Sequence, residues 1–192
     1  MTKDLMDALR ERRSIRRFKP DPVPDRTLGR LLEAATLAPS AGNAQDWFFY
    51  VVKNAHLRQE LARAAGGQGF LAEAPVVVVV CADLSRAEAS YGARGRLLYC
   101  LQDTAAATLN LMLAAVAFGL GTCWVGAFDE GEVARIVGAA PGRLRPVVLV
   151  PVGYPDEIPG PRGRRALEEV TRVLDEPGRS EGKGGPGSGS KA

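Results

Sequence analysis

A long apolar stretch, residues 97–118, constrains the fold more than any other feature of the chain. Its only strongly polar side chains are those of Gln102, Asp103 and Asn110. A surface helix carries one apolar stripe, whereas a helix that is apolar nearly all round is buried on most sides. A single domain of 192 residues seldom surrounds so long a helix, so we expect a second subunit to cover part of it. The polar interruptions argue against a membrane span.

Glycines end this helix, at Gly119 and Gly121, and residues 123–126 then have the character of a short strand. A dinucleotide-binding fingerprint has the opposite order, because its glycines follow a strand and open the helix that holds the pyrophosphate. A nicotinamide dinucleotide held as in a Rossmann domain is therefore not expected. Bare glycines beside Trp124 would still let a flat ligand approach the backbone closely.

Apolar strands alternate with amphipathic helices through the rest of the chain. Residues 47–52, 75–81 and 146–152 are β-branched or aromatic runs, and the run at 75–81 is typical of a strand covered on both faces. The alternation predicts an α+β fold, a three-layer α/β/α sandwich with a mixed central sheet of four or five strands. The polar segment 83–95 is expected to be a mobile excursion over the surface. Residues 1–175 are expected to form one domain, and the Gly/Ser-rich residues 176–192 a disordered tail.

The composition argues against several kinds of site. The formal charge of +3 is mild, and three cysteines without a C-x-x-C pair indicate reduced thiols in a cytoplasmic protein rather than disulfides or zinc. The charged N-terminus lacks the apolar region of a signal peptide. The single histidine, His56, has no clustered partner, so neither a metal site nor a Ser-His-Asp triad is expected.

Two arginine clusters, at residues 12–17 and 162–165, are candidate anion sites. Guanidinium groups bind phosphate oxygens bidentately, which suits a phosphorylated ligand. A solvated charged face is an alternative, and a nucleic-acid surface is another, although no aromatic interleaving favours it. The loop at 39–45 offers a hydroxyl and two amides, and it is either an ordinary turn or a binding loop.

Four separated stretches of the chain, taken together in sequence order, carry a family resemblance. They are residues 12–18 (RRSIRRF), 39–47 (PSAGNAQDW), 119–126 (GLGTCWVG) and 151–155 (PVGYP), the last followed by Arg162, Arg164 and residues 167–169. In this order they resemble the nitroreductase family of FMN-dependent oxidoreductases, over residues 4–175. The resemblance implies an obligate homodimer built on the long central helix, with two FMN sites at the dimer interface.

The resemblance also implies roles for individual residues. The FMN phosphate, ribityl chain and pyrimidine edge would be held by Arg12, Arg13, Ser14 and Arg16, and the phosphate also by Arg162 and Arg164. The loop from the other subunit would contribute Pro39, Ser40 and Asn43. The flavin ring would be lined by Gly121, Trp124, Val125, Gly126 and Ala127. Asp46 departs from the family, which usually has proline between the glutamine and the tryptophan.

The implied function is that of an NAD(P)H-dependent FMN oxidoreductase. Hydride would pass from the nicotinamide to flavin N5, and a nitroaromatic, quinone or activated alkene would then take the electrons in the same cavity. The flavin performs the chemistry, so no side chain is expected to be catalytic. A family relative that acts on reduced flavin or on halogenated substrates, a flavin-storage protein and a nucleic-acid binder are the alternatives. We expect a cytoplasmic homodimer with a small-molecule acceptor, without nucleic acid, membrane or metal.

Overall fold

A four-stranded antiparallel sheet forms the centre of the protein in a computed structural model that describes residues 3–174. Strand β2 (Val76–Asp83) lies between β1 (Trp47–Val52) and β4 (Leu144–Gly153), and the short β3 (Gly121–Thr122) pairs with the other side of β4. All eight residues of β2 are buried, as predicted for a strand covered on both faces.

Helices cover both faces of this sheet. They are α1 (Leu5–Glu11), α2 (Asp25–Thr36), α3 (Ala55–Ala64), α4 (Phe70–Glu73), α5 (Leu84–Arg94), α6 (Cys100–Ala117) and α7 (Glu130–Val137). Successive side chains of a strand point to opposite faces, so Val78 and Val80 pack with α2 and α6, while Val77 and Val79 pack with α3 and α7. This three-layer α/β/α arrangement confirms the predicted fold class.

Helix α6 is the predicted central helix, and its polar residues are accommodated inside it. The hydroxyls of Thr104 and Thr108 donate to the carbonyls of the residues four positions earlier, at 2.6 and 2.7 Å, so both threonines are fully buried without an unmet hydrogen bond. The helical run Leu84–Ala117 is long and apolar enough to cross a membrane, and 44% of its most apolar 18-residue segment is buried inside the protein. The core helix of a globular domain has the same length and composition.

One side of α6 stays uncovered within a single chain. Leu109 is 44% exposed, and a groove beside it is formed by apolar residues of α1, α2 and α6. We call this surface the α1–α6 apolar face; it comprises the exposed Leu5, Leu37 and Leu109 and the half-buried Leu113 and Ala117. A contiguous exposed apolar patch on a protein commonly marks an interaction surface.

The segment expected to be a surface excursion, residues 83–95, is instead the helix α5. Asp83 caps it by accepting the Arg86 N–H at 3.1 Å, and Ala87 packs against Ala82 and Cys100. The helix kinks at Tyr91 and Gly92, and Gly95–Tyr99 then forms one π-helical turn that leads into α6. The prediction was wrong because the segment is mostly polar in composition, whereas a few small buried residues such as Ala87 hold the helix against the rest of the protein.

The chain divides into two compact units, one ending at Pro161 and one beginning at Arg162. In the second unit the described residues, 162–174, are exposed and include the short helix α8 (Leu167–Val170). The predicted disordered tail, residues 176–192, lies outside the described residues, and the domain boundary at 175 stays a prediction.

Candidate functional site

Residues 12–18 form an extended segment that lies along the edge of the sheet. Ser14 makes a parallel bridge with Thr122, and the Ile15 N–H donates to the Thr122 carbonyl at 2.9 Å. Farther along, Phe18 makes an antiparallel bridge with Pro155. Neighbouring side chains of an extended segment point in opposite directions, so the arginines of this cluster leave the backbone on two different sides.

A close backbone contact anchors this segment. Ile15 is buried against Gly121, and a Cβ atom at position 121 would lie only 2.6 Å from Ile15 Cγ1. Gly121 is therefore required by packing, because any side chain there would push the segment away from β3. This contact fixes Ser14 and its neighbours beside the residues that follow α6.

Three side chains of the segment converge on one side. Burial raises the pKa of the Cys123 thiol, while the Arg16 guanidinium, the Ser14 hydroxyl and the Arg12 guanidinium act to lower it. Arg12, Ser14 and Arg16 occupy alternate positions of the extended segment and therefore share one of its sides. We call the surface formed by Arg12, Ser14 and Arg16 the arginine face.

The other arginines of the cluster point elsewhere and already have partners. Arg17 lies 3.4 Å from Asp156 and 3.5 Å from Glu157, and Arg13 donates to the Arg10 and Arg12 carbonyls at 2.6 and 2.9 Å. Arg13 and Ile15 line a cavity of about 630 Å³ on the opposite side of the segment. The structure thus separates Arg13 from the arginine face.

The arginine face has the electrostatics of an anion site. Among residues 3–174, neither Arg12 nor Arg16 has a carboxylate within 4.0 Å. The Arg16 guanidinium lies over the Phe70 ring, 5.9 Å from its centroid, which holds the charge in place without neutralising it. Two uncompensated guanidiniums beside a hydroxyl suit a phosphate.

An open wall continues from this face along residues 124–127. Trp124 is 42% exposed, Gly126 and Ala127 are exposed, and Val125 points inward. Val125 exchanges two 3.0 Å backbone hydrogen bonds with Leu149, which fixes the wall to β4. Of the residues predicted to line a flavin ring, Trp124, Gly126 and Ala127 present accessible surface and Val125 is buried. Gly121 lies against Ile15 and lines the cavity that Arg13 also lines.

Two residues that support this region, Gln68 and Phe70, were not predicted from the sequence. The Gln68 side-chain amide donates to the Ala65 and Ala127 carbonyls at 2.9 and 3.2 Å, and so ties the wall to the end of α3. Phe70 supports Arg16. The only local signal was the Gly66–Gly67 stop after α3, which indicates a turn but not what the turn approaches.

The loop at 39–45 is held in a tight conformation at the start of α6. The Ala41 N–H donates to Asp103 Oδ2 at 3.0 Å, and the Gln45 N–H donates to the Ser40 hydroxyl at 3.0 Å. Asn43 and Gln45 both have positive φ, 57° and 50°. Such φ values are uncommon outside glycine and mark a loop whose shape is set by its surroundings.

Within one protomer, loop 39–45 and the arginine face lie near opposite ends of helix α6. Asp103 is in the first turn of α6 and Ala117 is its last residue, so the helix alone separates the ends by about 20 Å. They are also on opposite edges of the sheet, because the loop leads into β1 and the arginine face adjoins β3. Within one chain, Pro39, Ser40 and Asn43 therefore do not meet Arg12, Ser14 and Arg16.

The second predicted arginine cluster belongs to the second unit. Arg164 donates to the carbonyls of Arg162 and Gly163, at 3.2 and 3.0 Å, and Arg165 pairs with Glu169 at 3.0 Å. Both Arg162 and Arg164 are exposed. Their predicted contact with a phosphate stays a prediction.

The described residues contain no grouping typical of metal or nucleophilic catalysis. Residues 3–174 hold no cluster of three or more metal-ligating side chains. Burial raises the pKa of Cys81 to about 12 and also raises the pKa values of Cys100 and Cys123, so these thiols stay protonated and unreactive. His56 is exposed and lies 3.8 Å from Glu60. Binding and orientation are what this surface can supply.

Comparison with known proteins identifies relatives of the whole first unit. The family model described as "Nitroreductase family" matches residues 9–68 and 63–154. The chain is 33% identical, over 83% of its length and 81% of the relative's, to a Methanothermobacter thermautotrophicus protein named "Putative NADH dehydrogenase/NAD(P)H nitroreductase". It is 29% identical to the Bacillus subtilis "FMN reductase [NAD(P)H]", over 78% of this chain and 54% of that protein. A crystal structure of a nitroreductase family protein from Streptococcus pneumoniae TIGR4 superposes with a TM-score of 0.81 at 26% identity, covering 89% of this chain and 100% of the other.

Proposed function

The chain belongs to the nitroreductase family and is an oxidoreductase, and we propose that it binds FMN and uses it to pass electrons from NAD(P)H to small organic acceptors. Nitroaromatics, quinones and activated alkenes are the proposed acceptor classes. A cytoplasmic setting is part of the same proposal, in keeping with three free, buried cysteines.

The arginine face carries this proposal. A phosphate dianion at a partly buried site needs several charged donors, and Arg12 and Arg16 stand beside Ser14 without a carboxylate partner in the described chain. The proposal therefore assigns the phosphate to Arg12, Ser14 and Arg16, and it assigns no such contact to Arg13.

The wall at 124–127 suits a flat ring. Gly126 leaves room for close approach, since the nearest group that a Cβ atom there would meet is the Trp124 indole at 3.6 Å. Trp124 offers an aromatic surface, and the exposed backbone at Gly126 and Ala127 offers polar groups for the ring's edge. FMN, when bound, supplies the chemistry by accepting a hydride and releasing electrons to the acceptor. The chain's own residues orient the ring and leave one side of it open.

A homodimer would complete the site. The α1–α6 apolar face is exposed on a single chain, and covering it with a second copy removes apolar surface from water. In a two-fold interface whose axis is perpendicular to α6, the two copies of α6 would run antiparallel, and each helix start would approach its partner's helix end. Loop 39–45 of one protomer would then approach the arginine face of the other, so that two parts that lie near opposite ends of α6 in one chain would meet across the interface.

Acceptor turnover tests this function. FMN-loaded full-length protein is assayed for NADH or NADPH oxidation with one nitroaromatic, one quinone and one activated alkene. We expect turnover that requires FMN, with parallel double-reciprocal lines because donor and acceptor use the same face in turn. An R12A/R16A double variant assayed at the same FMN concentration is the matched control, and its turnover should fall with its flavin content. Bound FMN without turnover of any acceptor would instead favour a storage protein or a relative that acts on flavin itself.

A further inference from the structure

Asp46 is a buried carboxyl group without a conventional partner. Its residue is 1% exposed, and neither side-chain oxygen has a hydrogen-bond donor among residues 3–174. Its backbone carbonyl accepts the Asp83 N–H at 2.7 Å, so the residue is fixed where loop 39–45 joins β1. A buried carboxylate with no donor is strongly unfavourable, so this group requires another means of stabilisation.

A second carboxyl group supplies that means. The carboxyl of Asp103, 7% exposed in the first turn of α6, lies near the Asp46 carboxyl, so the two can share a hydrogen bond when one of them is protonated. The same Asp103 accepts the Ala41 N–H at 3.0 Å. When both carboxyls are ionised, neither can donate and like charges repel at short range; with one proton between them, the pair gains a hydrogen bond.

The surrounding charges do not neutralise this pair. Asp83 is bound by Arg143 at 3.0 and 3.1 Å, and Arg145 pairs with Glu130. The guanidinium of Arg86, on α5, is engaged with the Ala44 carbonyl. Cys100 lies close by on α6 and stays neutral, because burial raises its pKa.

We propose that Asp46 and Asp103 share a single proton and act as positioning residues that hold loop 39–45 in the shape needed to complete the flavin site of the partner protomer. The coupling to flavin rests on the proposed function, whereas the proton sharing does not. The linkage is direct, since Asp103 binds Ala41 in the middle of the loop and Asp46 terminates it. Loss of the proton places two adjacent charges under the loop and loosens it.

The electrostatic surroundings of Asp46 are in keeping with this pairing. Burial, with the neighbouring charge of Asp103, raises the pKa of Asp46 from 3.8 to about 6. The folded chain therefore retains a proton that an unfolded chain would have released, and it gives this proton up as the pH rises through about 6. The loop is thus tight on the acid side of this value and looser on the alkaline side.

Infrared spectroscopy of the full-length protein tests the shared proton without reference to flavin. A protonated carboxyl has a carbonyl stretch distinct from that of a carboxylate, and we expect this band to persist in the wild type near pH 5 and to disappear near pH 7.5. The part of this band that titrates near pH 6, above the ordinary carboxyls with pKa values of about 4, should be missing in D46N and in D103N, in which an amide can donate permanently to the remaining carboxylate. D21N, which changes an exposed aspartate, is the matched control and should keep the band. A wild-type spectrum that matches D46N at every pH would overturn the shared proton.

FMN affinity across the same pH range tests the coupling. The ratio of wild-type Kd to D46N Kd cancels the ligand's own titration, and we expect it to rise by about fivefold between pH 5 and pH 7.5, at the low end for coupled sites. D103N should behave like D46N, and D21N like the wild type. A pH-independent ratio, with the infrared band present, would overturn the coupling and leave the proton sharing. Absence of FMN binding at every pH would overturn the proposed function together with the coupling, while the infrared result would still decide the proton sharing.

Discussion

The arginine face makes a sharp prediction about which arginines recognise phosphate. Replacing Arg12 or Arg16 by alanine removes a charged donor from a surface where no carboxylate within the described residues competes for it. A hydrogen bond to a charged group contributes about 1.5–3 kcal/mol, and about 1.4 kcal/mol corresponds to a factor of ten in affinity. Each replacement should therefore weaken FMN binding by about one to two orders of magnitude.

The assay compares two ligands and two sets of variants. FMN and riboflavin differ by the phosphate, so R12A and R16A should lose affinity for FMN and change little for riboflavin in fluorescence titrations. Arg17 is the matched control because it belongs to the same segment, faces the other way and pairs with Asp156 and Glu157. Exposed ion pairs contribute about 0–1 kcal/mol, so R17A should bind FMN within about fivefold of the parent.

The R13A variant tests whether the alternation of side chains along the segment determines which arginines bind FMN. Because Arg13 points into the cavity on the other side, R13A should resemble R17A rather than R12A. An FMN-specific loss in R13A as large as in R12A would refute the two-sided description of the segment. Equal losses of FMN and riboflavin in R12A would refute the phosphate assignment.

Three further variants test the rest of the site. L109E places a charge on the α1–α6 apolar face, so light scattering should report monomers that have also lost FMN. Q59E, on the exposed side of α3, is the control and should remain a dimer with bound FMN. An L109E monomer that still binds FMN would show that the interface is not part of the site. G121A should lower the free energy of unfolding by about 1–3 kcal/mol, because its Cβ would lie 2.6 Å from Ile15 Cγ1. G126A is the control and should leave the free energy of unfolding almost unchanged, so equal denaturation midpoints for the two variants would contradict the packing argument. H56A, C123S and Y154F should each keep the rate of flavin reduction within about tenfold of the parent, below the effect of losing a general acid or base; a thousandfold fall in stopped-flow traces would reveal a chemical role.

The layers of the fold could be predicted from the sequence because hydrophobic patterning determines them. The continuous apolar run around Val76–Asp83 indicated a strand buried on both faces, and the nearly all-round apolar stretch indicated the central helix. Helix α5 was missed because its docking depends on Ala87 and on the contact between Tyr91 and Tyr99, whose ring centroids are 5.3 Å apart. Such contacts join residues that no local pattern relates.

The sequence predicted which kinds of residue form the site, but it did not predict how their side chains are arranged in space. The cluster at 12–17 indicated an anion site, yet the division between Arg12 and Arg16 on one side and Arg13 and Arg17 on the other follows from the bridge between Ser14 and Thr122. Asp103 had only the character of a polar interruption in an apolar helix. Its proposed role depends on the tertiary structure, in which it accepts the Ala41 N–H and lies near Asp46, and no local sequence pattern relates these three residues.

Anaerobic addition of NADH or NADPH to the FMN-loaded protein tests the central claim most directly. If the arginine face and the wall at 124–127 bind FMN for hydride transfer, at least one nicotinamide should bleach the visible absorbance of the bound flavin, and an electron acceptor should restore it. The R12A/R16A double variant should bind too little FMN to show the change at the same concentrations. A wild-type protein that remains colourless after incubation with FMN, or that holds FMN which neither nicotinamide reduces, would contradict the account.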